Sequence, residues 1–143
     1  MFKKIFNIKK REVSDNKNVL IASLLIHAAR IDENYTDVEK KIIKKALMEI
    51  NTINSDEAEN LIKLAAKKEE ESNQIVEFTQ EIKKYSMEYR LKIIEVIWKI
   101  VYSDGLTNEY ESNLIRRICG LLYISGKDSG VIKIKVQNLL NKK

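Results

Sequence analysis

The chain has 143 residues, which is enough for one domain with its own core and too few for two comfortable ones. Apolar residues make up 44% of the chain and charged residues 33%, a balance that excludes general disorder. The formal net charge of +5 arises within residues 1–11, which hold five basic side chains and no acidic one, so the neutral remainder excludes a broad nucleic-acid-binding face.

Breakers of helical structure are scarce in this chain. It contains no proline and only four glycines, so the sequence predicts an all-α domain of about seven helices, and no segment has the alternating pattern of a strand. The first residues lack the apolar stretch and cleavage site of a secretory signal, and the best apolar run, residues 19–29, is too short to span a bilayer. We therefore expect a soluble, cytoplasmic protein.

The N-terminal half is predicted to hold a leader and four helices. Residues 1–14 are expected to form a flexible basic leader, and residues 15–143 a single helical domain. The first helix should run from Asn16 or Lys17 to Arg30, with an inward or flanking face that comprises Leu20, Leu24, Ile26, His27 and Ile31. Thr36 and Glu39 have the spacing of a capping box, which starts a second helix that ends near Asn51. Ser55 is predicted to cap the third helix, and the fourth is predicted over residues 72–85.

Three further helices are predicted in the C-terminal half. Ser86 should open a long helix that extends through Val101, Asn108 should cap the sixth helix, and the last should follow Ser125 or Asp128. Cys119 lies in an apolar context and is predicted to be buried. The mixed charges of residues 67–71, KKEEE, are predicted to be solvated.

The two halves of the chain repeat one pattern at an offset of 72 residues. The polar residues of the first copy align with those of the second as Asp32 with Asp104, Thr36 with Asn108, Asp37 with Glu109, and Glu39 with Glu111. Apolar residues also align: Leu24 with Val96, Leu25 with Ile97, Ala29 with Val101, Ile42 with Leu114, and Ile43 with Ile115. Two copies are too few for a solenoid, so we expect two similar helix-loop-helix units to pack about a pseudo-two-fold axis in one core.

The repeated acidic residues have two interpretations that the sequence leaves open. Asp37 and Glu39, with their counterparts, fall in the first turn of a helix, where carboxylates cap free N–H groups and stabilise by roughly 0.5–2 kcal/mol per site. Asp32 and Asp104 instead close a preceding helix, where the helix dipole disfavours an anion. They either turn to cap the next helix or lie near a positive charge.

Two long motifs resemble the tellurite resistance TerB family, which also resembles the amino-terminal domain of the co-chaperone DjlA. They are HAARIDENYTDVEKKIIKKAL and YRLKIIEVIWKIVYSDGLTNEYESNLIRRICGLLYIS. The resemblance implies an all-α domain of about seven helices with a divalent metal bound by the acidic inter-helix turns. Its candidate ligands here are Asp32, Asp37, Glu39, Asp104, Glu109 and Glu111. The first turn departs from the family pattern, because Glu33 replaces the usual glycine.

A ligand set made of carboxylates alone favours Ca²⁺, Mg²⁺ or Mn²⁺ over zinc or copper. The second turn is not an EF-hand, since Leu106 and Thr107 stand where such a loop needs oxygen ligands. The single histidine, His27, is predicted to be a core or rim residue rather than a ligand or base. Together with the lack of a Gly-rich phosphate loop and a nucleophile elbow, this predicts that the protein is not an enzyme.

The sequence thus predicts a non-enzymatic helical module that acts through contacts with a protein partner in a stress or tellurite-resistance response. An alternative is a membrane-surface adaptor. Apolar residues Phe2, Ile5, Phe6 and Ile8 alternate with lysines in residues 1–11, a pattern that predicts weak peripheral contact with anionic lipid.

Overall fold

A computed structural model describes residues 17–31, 35–71, 75–103 and 109–141, apart from the side chains of residues 109, 110 and 141. Within these ranges the chain forms seven helices and no strand, which confirms the predicted all-α class. The helices are α1 (17–30), α2 (Asp37–Asn51), α3 (Ser55–Glu71), α4 (Val76–Ile82), α5 (Met87–Val101), α6 (Glu109–Leu121) and α7 (Gly126–Asn141).

The core is built around α1 and α5, which are buried on most of their circumference. Every residue from 21 to 26 is buried, and so are seven of the last nine residues of α5, from Ile93 to Val101. The predicted inward face of α1 was therefore too narrow, because Ile21 and Leu25 are also fully buried. A helix that is apolar on every side is stable only when its neighbours cover every side.

Corresponding residues of the two helix-loop-helix units enter the same core. Leu24 and Val96, Leu25 and Ile97, Ala29 and Val101, and Ile43 and Ile115 are all buried members of it. The burial pattern thus follows the internal repeat of the sequence, which confirms that the two units share one design.

The remaining helices surround this centre. α5 contacts α2, α6 and α7, while α2 also contacts α3, and α6 also contacts α4 and α7. Two side-chain hydrogen bonds hold α7 in place. Trp98 Nε1 of α5 donates to Ser129 Oγ at 3.2 Å, and Gln137 Nε2 donates at 3.0 Å to the hydroxyl of Tyr102, the residue that follows α5. Because Trp98 is buried, its N–H needs such an acceptor.

A polar cluster joins α1 to α3. Glu69 accepts from Arg30 Nη1 at 2.6 Å and lies 3.2 Å from His27 Nδ1. The prediction that residues 67–71 are simply solvated is therefore wrong for Glu69, whose side chain is only 12% exposed. The prediction that His27 is a satisfied rim residue is confirmed. Ser23, also on α1, donates to the Ala65 carbonyl of α3 at 3.3 Å.

Most of the predicted helix starts are confirmed. Ser86 Oγ accepts from the Tyr89 N–H at 3.2 Å, and Ser125 Oγ accepts from the Asp128 N–H at 3.1 Å. The assignment of Ser55 as a cap is wrong, because Asn54 Oδ1 accepts from the Glu57 N–H at 2.9 Å. Asparagine is one of the strongest N-cap residues, and here it displaces the helix start by one position.

The fourth helix is shorter than predicted. It covers Val76–Ile82, and the chain turns at residues 83–85 before α5 begins. Arg90 Nε donates to the Tyr85 carbonyl at 3.0 Å, so a carbonyl at the end of this turn is satisfied by a side chain rather than by a longer helix. A hydrogen bond from the side chain of Arg90, five residues after Tyr85, is not visible in the apolar pattern that suggested residues 72–85.

Replacing Thr52 with glycine should stabilise the protein. Thr52 ends α2 in the left-handed region, with φ of 52° and ψ of 50°, and both its N–H and that of Ile53 donate to the Met48 carbonyl. Left-handed backbone is unfavourable for an L residue by roughly 1–2 kcal/mol, and the flexibility of glycine in the unfolded chain offsets part of the gain, so we expect a net stabilisation of about 0.5–1 kcal/mol. Urea unfolding of Thr52→Gly measures it. Thr52→Ala keeps the Cβ atom and should show no such gain; equal stability of the two variants would contradict this account.

Candidate functional site

The first acidic turn ends in a capping box at the start of α2. The Thr36 N–H and the Thr36 hydroxyl both donate to Glu39 Oε1 at 2.9 Å, and the Glu39 N–H donates to Thr36 Oγ1 at 3.1 Å. This arrangement satisfies backbone N–H groups at both ends of the first turn and fixes the orientation of the Glu39 carboxylate. The capping box that the Thr-x-x-Glu spacing predicted is confirmed.

Asp37 and Glu39 face opposite sides of α2. Glu39 is 6% exposed, and it lies four residues before the core residue Ile43, on the same side of the helix. Asp37 is about 200° away around the helix axis, since each residue turns the helix by about 100°. Its side chain is 93% exposed, and its Oδ1 lies 3.9 Å from Lys40 Nζ. The structure therefore does not bring these two predicted ligands together.

The second helix-loop-helix unit repeats the inward glutamate. Glu111 is 7% exposed and lies four residues before the buried Ile115, as Glu39 lies before Ile43. The predicted ligands Asp32 and Asp104 and the predicted cap Asn108 lie outside the described residues. Glu109 begins α6, but its side chain is not described. Within the described part of the chain, no three His, Cys, Asp or Glu side chains are grouped closely enough to hold a metal ion.

A groove of about 530 Å³ runs between α2, α5 and α7. Its apolar lining comes from all three helices and consists of Val38, Ile42, Ala46, Val96, Val136, Leu139 and Leu140. The polar members of the lining are Lys45, Glu49, Lys99, Tyr102 and Ser103. We call this feature the α2–α5–α7 groove.

The α2–α5–α7 groove borders the described ends of both acidic turns. Val38 is the second residue of α2, directly after the first turn. Tyr102 and Ser103 follow α5, directly before residues 104–108 of the second turn. A residue that follows the first turn and two residues that precede the second turn thus line one surface feature.

The groove was not predicted from the sequence. The sequence signal for the groove is that α2 and α7 carry apolar residues outside their buried faces. Val38 and Leu139 are examples, and they are 55% and 49% exposed. Such residues are visible in the sequence, but scattered exposed apolar residues are common on any protein surface. Only the packing of α2 and α7 on the same side of α5 gathers them.

The two side chains best suited to nucleophilic or acid-base chemistry are engaged in the fold. His27 contacts Glu69, as described above, and Cys119 is buried, as predicted. Burial raises the pKa of the Cys119 thiol, and a hydrogen bond with Ser129 opposes part of this rise. A thiol with a raised pKa is a poor nucleophile near neutral pH, because little thiolate is present.

Comparison with known proteins identifies one family. The model of the family described as tellurite resistance protein TerB matches residues 18–134. No curated protein and no solved structure matches the chain. Among the described residues, no helix has both the length and the apolar character needed to cross a membrane. Residues 1–11, on which the membrane-adaptor alternative depends, lie outside the described residues.

Replacing Thr36 with alanine should destabilise the protein by about 1 kcal/mol, within the usual range of roughly 0.5–2 kcal/mol for a lost N-cap. The variant removes the acceptor of the Glu39 N–H and one of the donors to the buried Glu39 carboxylate. Chemical denaturation measures the change. Asp37→Asn is the matched control in the same turn, and it should alter stability by only a few tenths of a kcal/mol because Asp37 is exposed. Equal losses in the two variants would contradict the assigned roles.

Cys119 should react slowly with a water-soluble thiol reagent in the native protein and rapidly after unfolding in urea. The expected protection follows from its burial and from the raised pKa of its thiol. The rate of labelling, followed by mass spectrometry, should rise in parallel with the unfolded fraction across the urea transition. Complete labelling of the native chain at the rate of a free thiol would show that Cys119 is accessible.

Proposed function

Because the chain belongs to the TerB family, we propose that it is a non-enzymatic helical module that acts through contacts with a protein partner and binds a divalent cation in its two acidic inter-helix turns. The family description points to tellurite resistance as the process in which such a module takes part.

The position of the α2–α5–α7 groove is the observation that carries this proposal. The groove offers exposed apolar side chains to a partner, and its lining includes residues that flank both turns, namely Val38 on one side and Ser103 on the other. An ion bound by the turns would therefore act close to the partner surface. This supports a module whose partner surface lies beside its cation site.

The structure describes the side chains of three predicted ligands, and they divide into two groups by their burial. Glu39 and Glu111 face inward at corresponding positions, and we propose them as inner ligands together with Asp32 and Asp104 of the turns. The capping box suits this role, because hydrogen bonds that orient a carboxylate also favour its use as a metal ligand. Asp37 faces solvent, and we propose that Asp37 and its counterpart Glu109 contribute at longer range through their charge.

The chemistry of the donors favours Ca²⁺, Mg²⁺ or Mn²⁺, because all of the proposed ligands are carboxylates. Bound in the turns, such an ion would supply positive charge that offsets the repulsion between the acidic side chains and would tie the two turns together. The engagement of His27 with Glu69 and the burial of Cys119 support the non-enzymatic part of the proposal.

Calorimetric titration of Ca²⁺, Mg²⁺ and Mn²⁺ into the full chain tests the cation site. We expect at least one ion to release or absorb heat on binding and to raise the melting temperature, since a ligand that binds only the folded state stabilises it. The double variant Asp32→Asn/Asp104→Asn should lose both effects while keeping its helical circular dichroism. Asp37→Asn is the control and should bind with an affinity close to that of the wild type. No heat and no melting shift at millimolar concentrations of all three ions would end the cation proposal.

A further inference from the structure

We propose that the α2–α5–α7 groove binds an amphipathic helix of a partner protein, with the apolar face of that helix in the groove and acidic residues along its flank. This inference rests on the proposed function in one respect, that the module acts through protein contacts, and it does not depend on the cation.

The groove has the apolar surface that a helix would cover. Val38 and Leu139 are 55% and 49% exposed, while Ala46, Val96 and Val136 are buried beneath the opening. A surface with exposed apolar margins over an apolar floor is typical of grooves that receive the apolar face of a helix. The groove therefore favours a partner segment with a continuous apolar stripe.

The dimensions of the groove fit about three helical turns. Its α2 side is lined from Val38 to Glu49, which spans about 16 Å at a rise of 1.5 Å per residue. A bound helix would place apolar side chains at positions i, i+4 and i+7 along this length.

Charge at the margin of the groove favours an acidic partner. Lys45 and Lys99 line it, and neither makes an ion pair with any residue that the structure describes. Two nearby lysines do make ion pairs: Lys44 with Glu59 at 2.9 Å, and Lys135 with Glu95 at 2.8 Å. Among the described residues of the lining, Glu49 is the one acidic side chain beside Lys45 and Lys99, so this part of the margin has an excess of positive charge, which complements carboxylates on a partner.

The same charge argues against two other occupants. The leader of this chain has apolar residues, but residues 1–11 hold five basic side chains and no acidic one, so Lys45 and Lys99 would repel it. A second copy that met the groove with its own groove about a two-fold axis would bring the lysines of both copies towards each other. A separate partner with acidic flanks has neither disadvantage.

Two synthetic peptides test the inference directly. Both form amphipathic helices with leucine at positions i, i+4 and i+7; one carries glutamates on the flanks of the leucine stripe and the other carries lysines at the same positions. We expect the glutamate peptide to bind the full chain at least about tenfold more tightly in fluorescence anisotropy at low salt. The difference should decrease as salt screens the flanking charges.

Matched variants locate the binding site. Leu139→Ser should weaken binding of the glutamate peptide by about tenfold or more, whereas Ile134→Ser should leave it unchanged. Ile134 is on the same helix and is 58% exposed, but it does not line the groove. Lys45→Glu should reduce the preference for the glutamate peptide, whereas Lys41→Glu, on α2 outside the groove, should not. Circular dichroism confirms that each variant is folded.

Besides a lack of any peptide binding, four outcomes would overturn the inference. They are equal binding of the two peptides, equal effects of Leu139→Ser and Ile134→Ser, a wild-type dimer that Leu139→Ser converts to a monomer, and peptide binding that is seen only after Phe2→Ser/Phe6→Ser. The third outcome would assign the groove to a second copy, and the fourth would assign it to the leader.

The assays distinguish this inference from the cation proposal. Each peptide titration is run with a chelator and again with Mn²⁺ present. Peptide binding that persists in the chelator supports the inference even if no ion binds the chain. Cation binding without any peptide binding overturns the inference and leaves the cation proposal intact.

Discussion

The need to cover two helices that are apolar on nearly every side organises this molecule. α1 and α5 each present buried side chains around most of their circumference, among them Ile21, Leu25, Ile97 and Ile100. Neither helix can lie at a surface without exposing a large apolar area to water. Because α1 and α5 hold corresponding places in the internal repeat, the same requirement brings both helix-loop-helix units into one core.

The properties of the candidate site follow from that packing. Ile43 and Ile115 belong to the core, so the residues four positions earlier, Glu39 and Glu111, lie on the inward sides of their helices. Since α2 and α7 both pack on α5, the space between them forms the α2–α5–α7 groove beside the described ends of the acidic turns. The packing of these helices therefore decides both the inward position of the two glutamates and the position of the groove.

Local signals predicted the features that depend on neighbouring residues. The capping box of Thr36 and the cap at Ser86 were recognisable because a helix start is satisfied within four residues of sequence. Asn54 and Ser55 are both suitable N-cap residues for α3, and the predicted cap was wrong by one residue. Glu69 was assigned wrongly to solvent, because its partners His27 and Arg30 lie on another helix, about forty positions away.

The sequence by itself determined the all-α class, the two similar units, the TerB relationship and the capped start of α2, since periodicity, repeats and caps are written in nearby residues. Tertiary structure alone decided that α1 is buried nearly all round, that Glu39 is buried whereas Asp37 is exposed, and that Val38 and Leu139 share a groove. The physical reason is that a pattern along one helix specifies which of its faces is apolar, whereas the neighbour that covers the face depends on how all the helices pack together.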